Sequence, residues 1–323
     1  MPRYIRNTAI LAKIEVTPGT DSVPTGAANA MLVTNLSAPN FRADNVDRAL
    51  IRPFFGSSEQ LVGTAHYELG FDVELVGSGT AGSAPAWGAL LRACAMAETL
   101  TAVTRADYTP ITNLLEAVTI YWHDDGVLHK FVGARGSATL MFNIGERPML
   151  RFRFFGLDAG DSAVANPTVT LTTFRTPQVV TNANTGDITL GATHSAAGAP
   201  ALAAGTVYTS RGIEIELGNA LAYTPLLGSE EIDLSDRQST GTLQLDLSAA
   251  QEVAMRTSIK ANTVQSLGLV HGTTAGNRAL LFCPAVQFIE PTKEEINGRR
   301  LLGLKARITP LVGNDELRLV TSW

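Results

Sequence analysis

The sequence predicts a mainly β protein made of two tandem β-sandwich modules, each flanked by one α-helix. Three observations predict it. A segment repeats: Pro53-Phe54-Phe55-Gly56-Ser57-Ser58-Glu59 recurs as Pro225-Leu226-Leu227-Gly228-Ser229-Glu230-Glu231, and the match runs on without a gap through residues 60–75 against 232–247. Phe71, Val73 and Leu75 fall on Leu243, Leu245 and Leu247, and Glu74 falls on Asp246. A fixed-offset match in a loop and in the strand after it marks internal duplication. Apolar and charged residues also alternate with the two-residue period of a strand: Leu150, Phe152 and Phe154 with Arg151 and Arg153, and Leu302, Leu304, Ala306 and Ile308 with Lys305 and Arg307. Finally, 323 residues suit about two domains, and 17% charge with ordinary apolar content is the composition of a folded chain.

Residues 1–30 read as an extended N-terminal arm, with strand character over 10–16 and turn formers over 17–26. The first module spans 31–160. Its helix is expected over 84–96, where Trp87, Leu90, Leu91, Cys94 and Ala95 recur at near-helical spacing and pack on the sheet. A hairpin follows, with strands 118–122 and 127–132 turning at His123-Asp124-Asp125-Gly126, because Asp-Gly favours a tight turn. Residues 161–208 form a linker rich in Thr, Ala, Gly and Asn. Short strands fit 169–174, 178–180 and 187–190, and 191–205 reads as an exposed loop. The second module spans 209–323. Ile213, Ile215 and Leu217 alternate with Glu214 and Glu216 in its first strand, a helix fits 249–262, and a second hairpin turns over 271–277.

Catalytic chemistry has no anchor, so the chain reads as no enzyme, with no catalytic, cofactor-binding or metal-binding residues. None of the five histidines forms a metal-binding pair, and His123-Asp124-Asp125 sits where a hairpin must turn. Gly77-Ser78-Gly79-Thr80-Ala81-Gly82-Ser83 lacks the Gly-Lys-Ser/Thr ending of a phosphate loop, and Gly133-Ala134-Arg135-Gly136 fits a turn or bulge. Cys94 and Cys283 are too few for a disulfide scaffold. No apolar run is long enough for a membrane span, and the N-terminus lacks the apolar core of a signal peptide. A net charge of −5 argues against a general nucleic-acid binder.

The repeated loop is the unusual feature. Residues 48–63 carry Leu50, Ile51, Phe54 and Phe55 among Arg48, Arg52 and Glu59; residues 220–239 carry Leu221, Tyr223, Leu226 and Leu227 with Glu230 and Glu231. Bulky apolar residues in long connections require cover, either from their own module or from a neighbouring subunit.

The chain resembles the major tail proteins, or tail tube proteins, of long-tailed bacteriophages and prophages. The resemblance rests on the opening Ile10-Leu11-Ala12-Lys13-Ile14-Glu15-Val16-Thr17-Pro18-Gly19-Thr20-Asp21 leading to Pro24-Thr25-Gly26-Ala27-Ala28-Asn29-Ala30, on the order of strands, long loop, helix and hairpin, and on the duplication. It implies tail-tube-type modules, six to a ring, whose inner sheets join into a ring-wide β-barrel. The long loops, with Leu50, Ile51, Arg52, Phe54, Phe55, Glu59, Leu221, Tyr223, Leu226, Leu227, Glu230 and Glu231, would stack one ring on the next. Two modules per chain imply homotrimeric, pseudo-hexameric rings. The implied function is a structural virion protein that polymerises into the tail tube, assembled in the bacterial host cytoplasm. Its partners would be itself, other tail proteins at the tube ends, a tape-measure protein in the lumen, and double-stranded DNA only in passage, with no membrane and no cofactor. Glu68, Asp72, Glu74 and Asp246 form one candidate lumen-lining acidic face, which would repel phosphate. The rival reading is a tandem β-sandwich adhesion module recognising host-surface carbohydrate, for which three tryptophans are few.

Overall fold

A computed structural model of the chain describes residues 2–195 and 198–323. Seventeen strands of the described residues belong to one sheet. An antiparallel run crosses the whole molecule: Val33–Asp47, Gln60–Glu74, Met149–Ala163, Val127–Asn143, Ser210–Glu216, Thr240–Leu245, Arg299–Ile308 and Ala279–Ile296, each bonded to the next. The pairing of Phe142 with Ile213 and of Leu140 with Ile215 carries the sheet from the first half of the chain into the second. Along this run the apolar partners share one face. Phe71 lies opposite Phe152, Phe152 opposite Ala138, and Leu243 opposite Leu304, all buried in one core.

The remaining strands join this run through its two longest members. The first part of Val127–Asn143 pairs with Val118–Asp124, which pairs with Thr8–Ile14. The first part of Ala279–Ile296 pairs with Val264–His271 and with Arg318–Thr321, and the latter bonds Arg105–Pro110 of the first half. Among the described residues, strand pairing joins the halves at two places, through 139–143 with 212–216 and through 106–108 with 319–321.

The expected architecture is corrected in three respects. The chain is not two separate sandwiches, because both halves share one sheet. That sheet does not close into a barrel and is not strongly curled. Among the described residues Val33–Asp47 bonds only Gln60–Glu74 and Met96–Thr101 bonds only Arg105–Pro110, and a barrel requires a neighbour on both sides of every strand. The first helix is Gly88–Arg92 rather than 84–96: Ala95 takes a left-handed φ of 59°, and Met96 already begins a strand. The apolar spacing that suggested a longer helix serves burial on several sides, since Trp87, Leu90, Leu91 and Cys94 are all fully buried.

The helix of the second half, Ala249–Lys260, starts with a capping box: Ser248 Oγ accepts from Gln251 N, and Gln251 Oε1 accepts from Ser248 N. The Asp125-Gly126 turn has both residues at positive φ, the form that suits a two-residue hairpin. In the linker, Ile188–Leu190 pairs with Thr206–Tyr208 and Val264–His271, whereas 169–174 and 178–180 form no strand. The expected loop 191–205 contains the small hairpin Thr193–Ser195 with Ala201–Ala203; its residues 196–197, like Met1, lie outside the described residues.

Candidate assembly surfaces

The repeated segment builds two projecting arms. In the first, Val33–Asp47 and Gln60–Glu74 form a long hairpin closed at Asp47 opposite Gln60, and 48–59 make its tip. Arg48 and Arg52 both pair with Glu59, and Leu50 N donates to Ser58 Oγ at 3.3 Å, which holds the tip together. Phe54 is 65% exposed, and Ile51 and Phe55 are fully exposed. The second arm is not the long loop expected from the sequence but a tight hairpin, Asn219–Leu226 with Ser229–Arg237. Leu226 lies opposite Ser229, Gly228 takes a φ of 92°, and Leu226, Leu227, Glu230 and Glu231 are exposed. Leu221 and Tyr223 sit lower on the shaft and are half-buried.

The second arm is rooted in the first half of the chain. Arg135 Nη1 donates to Ile232 O at 2.6 Å, and Asn219 Nδ2 donates to Cys94 O at 2.8 Å and Gly136 O at 2.9 Å. Arg237 donates to Ile111 O at 3.0 Å and pairs with Glu316 at 2.5 Å, both side chains being largely buried. Tyr223 lies against His66 of the first arm, ring centroids 4.8 Å apart. None of these roles was legible in the sequence. Arg135 stood only in a short glycine-flanked stretch, which forms the bulge expected there, with Gly133 at φ 58°. Gly77-to-Ser83 also acquires a role as a joint: Gly77 N donates to Asn277 Oδ1, Gly79 N to Gly276 O and Gly82 N to Ser322 O. A Cβ on Gly77 would meet Gly276 O at 2.1 Å, so this approach requires glycine.

The four acidic candidates lie on the face of the sheet opposite the core, and every one is ion-paired. Glu68 faces Arg42 at 3.2 Å and Arg153 at 3.5 Å, and Asp72 faces Arg151 at 3.2 Å and accepts from Asn35 at 2.8 Å. Glu74 pairs with Arg147 and Asp246 with Arg299, each at 2.5 Å. The face is charge-compensated rather than plainly acidic. The carboxylates of the Asp124-Asp125 turn hold the N-terminal segment: Asp124 binds Arg3, and Asp125 accepts from Tyr4 N and Asn7 Nδ2. Both cysteine thiols are buried, which pushes their pKa up and leaves them as small apolar side chains. Of the three tryptophans, Trp87 is fully buried, Trp323 is buried, and Trp122 is half-buried against His129.

The described residues thus combine a long open sheet, two hairpin arms with exposed apolar tips and a charge-compensated polar face. The family model for the phage tail tube protein matches residues 5–307, and the chain belongs to that family. A search of the curated proteins found no match. The chain is therefore a structural, non-catalytic protein of the bacteriophage virion, one that assembles with copies of itself into the tail tube.

Proposed function

We propose that the chain is a duplicated tail tube subunit, three copies of which make one pseudo-hexameric ring, and that the arms stack ring on ring. The observation that carries this reading is the order of strands. In one half Gln60–Glu74 lies between Val33–Asp47 and Met149–Ala163, which pairs with Val127–Asn143. In the other Thr240–Leu245 lies between Ser210–Glu216 and Arg299–Ile308, which pairs with Ala279–Ile296. The two sets stand side by side in one sheet, which favours two modules of one ring over modules in successive rings. The modules correspond to about 31–160 and 209–323. Residues 161–208 connect them and add Ile188–Leu190 to the sheet beside Val264–His271.

Stacking belongs to the tips, where Ile51, Phe54, Phe55, Leu226 and Leu227 expose apolar surface that a neighbouring ring would cover. The polar face carrying Glu68, Asp72, Glu74 and Asp246 lines the lumen in this reading. Guanidinium groups held by carboxylates are weaker competitors for phosphate, so double-stranded DNA would pass without sticking. A tape-measure protein would occupy the same lumen before ejection, other tail proteins would cap the tube ends, and assembly would take place in the host cytoplasm. The mass of isolated rings tests the stoichiometry: three chains per ring is the expected value, and six would refute it.

A further inference from the structure

The two arms differ in what covers their shafts. In the second arm Ile232 is 1% exposed and Leu234 is half-buried, because the shaft lies on the first module beside Arg135. In the first arm the inner part of the shaft meets Tyr223 at His66, and the outer part is bare. Val62, which matches Leu234 in the repeat, is 68% exposed; its neighbour Leu61 is 53% exposed, and Val46 and Phe41 are exposed across the hairpin. A strand pair with apolar side chains along its shaft is a surface that needs a partner.

We infer that the shaft of the first arm docks on the second module of another copy of this chain, as the second arm docks on the first module of its own. The covered arm defines the seat: the segment before Val118–Asp124, whose Ile111 carbonyl accepts from Arg237 of the arm, and the strand carrying Arg135, which donates to Ile232 O of the arm and to Leu115 O of that segment. The second module has its own version of that seat, the segment before Val264–His271 and the strand Ala279–Ile296 beside Arg299–Ile308. Among the described residues the helix Ala249–Lys260 touches Ala279–Ile296, with Glu252 paired to Lys293, and no hairpin of the chain lies on this seat as the second arm lies on the first module. Val264 is 52% exposed, Asn262 and Arg307 are exposed, and Gln287 and Ile289 are only half-buried. A bare shaft and an open seat on one chain, with the same kind of pair closed inside the chain, make a head-to-tail contact that repeats around an axis. The shaft then acts within a ring, and the tip beyond Asp47 remains for the next ring. This inference rests on the proposed equivalence of the two modules.

Photo-crosslinking tests it. A photoreactive residue replaces Val62, tubes are assembled from a mixture of normal and nitrogen-15-labelled chains, and the cross-linked peptides are mapped by mass spectrometry. The expected product joins position 62 of one chain to 260–265 or 285–309 of a different chain. The same probe at position 234 should give products within one chain, on 111–117 or around Arg135. Leu61→Ser with Val62→Ser should abolish ring formation and leave the melting temperature of the unassembled chain unchanged. Products from position 62 that map to the first module, to the same chain or to nothing overturn the inference. Ring mass separates the two ideas: three chains per ring with products elsewhere sinks the seat alone, and the expected products with six chains per ring sinks the trimer alone.

Discussion

Replacing Phe54 and Phe55 with Ser should abolish tube formation without unfolding the chain. Phe54 is 65% exposed and Phe55 wholly so, hence the pair contributes little packing to the isolated fold. Covering a phenylalanine side chain contributes about 1.5–3 kcal/mol, so the pair supplies about 3–6 kcal/mol per arm if a neighbouring ring covers both. At about 1.4 kcal/mol per tenfold, losing that shifts the concentration needed for assembly by about 10²–10⁴. The unfolding free energy of the single chain should change by no more than about 0.5 kcal/mol, as for other exposed positions. Sedimentation of tubes across a concentration series, with negative-stain microscopy of the pellets, reads the first quantity, and urea unfolding reads the second. Long tubes at the wild-type concentration would refute the reasoning, because the tips would then be solvated in the assembly too.

Arg237→Ala should destabilise the chain by about 3–5 kcal/mol in urea unfolding, because it leaves the Glu316 carboxylate buried without its partner; Arg237→Met with Glu316→Met should recover much of the loss. Gly77→Ala should cost about 1–3 kcal/mol in the same assay, since the added methyl forces Gly276 O away and loosens the joint between the halves. His66, His123, His194 and His271 all have pKa values pushed below 6.5, burial being the first cause in each. The unfolded chain therefore takes up protons first as pH falls. The stability that these neutral imidazoles contribute is full above about pH 6.5 and is lost as pH falls through their depressed values. The melting temperature should be lower at pH 5.5 than at pH 7.5, and an unchanged or higher value would contradict the assignment. Glu68→Gln, Asp72→Asn and Glu74→Gln together should free the facing arginines and give the tube salt-sensitive DNA affinity in a filtration assay, where the unmodified tube binds none.

The inward and outward faces of the strands were legible because alternation is a local property. Leu150, Phe152 and Phe154 point to the core, and Arg151 and Arg153 point away from it, as their spacing requires. The carboxylates at 68, 72 and 74 were legible as one face for the same reason. Their compensation was not, because Arg151 and Arg153 reach them only through the register of two strands far apart in sequence, and Arg147 reaches Glu74 from the turn before the second of those strands. The helix over 84–96 was overread: near-helical apolar spacing also fits a short helical turn buried on several sides, and one left-handed residue at Ala95 ended it. The barrel expected from the resemblance failed because closure needs a second neighbour for Val33–Asp47, and the chain supplies one. The anchors of the second arm, Arg135, Asn219, Arg237 and Glu316, had no local pattern to announce them; among the joints between the halves, only the glycine density at 77–82 left a trace in the sequence.

Helical reconstruction of the assembled tube by electron cryomicroscopy tests the central claim most directly. The account predicts rings of three chains with near-sixfold shape, the two modules of each chain side by side in one ring, and both arm tips buried against the next ring. Rings of six chains, or modules of one chain lying in successive rings, would contradict it.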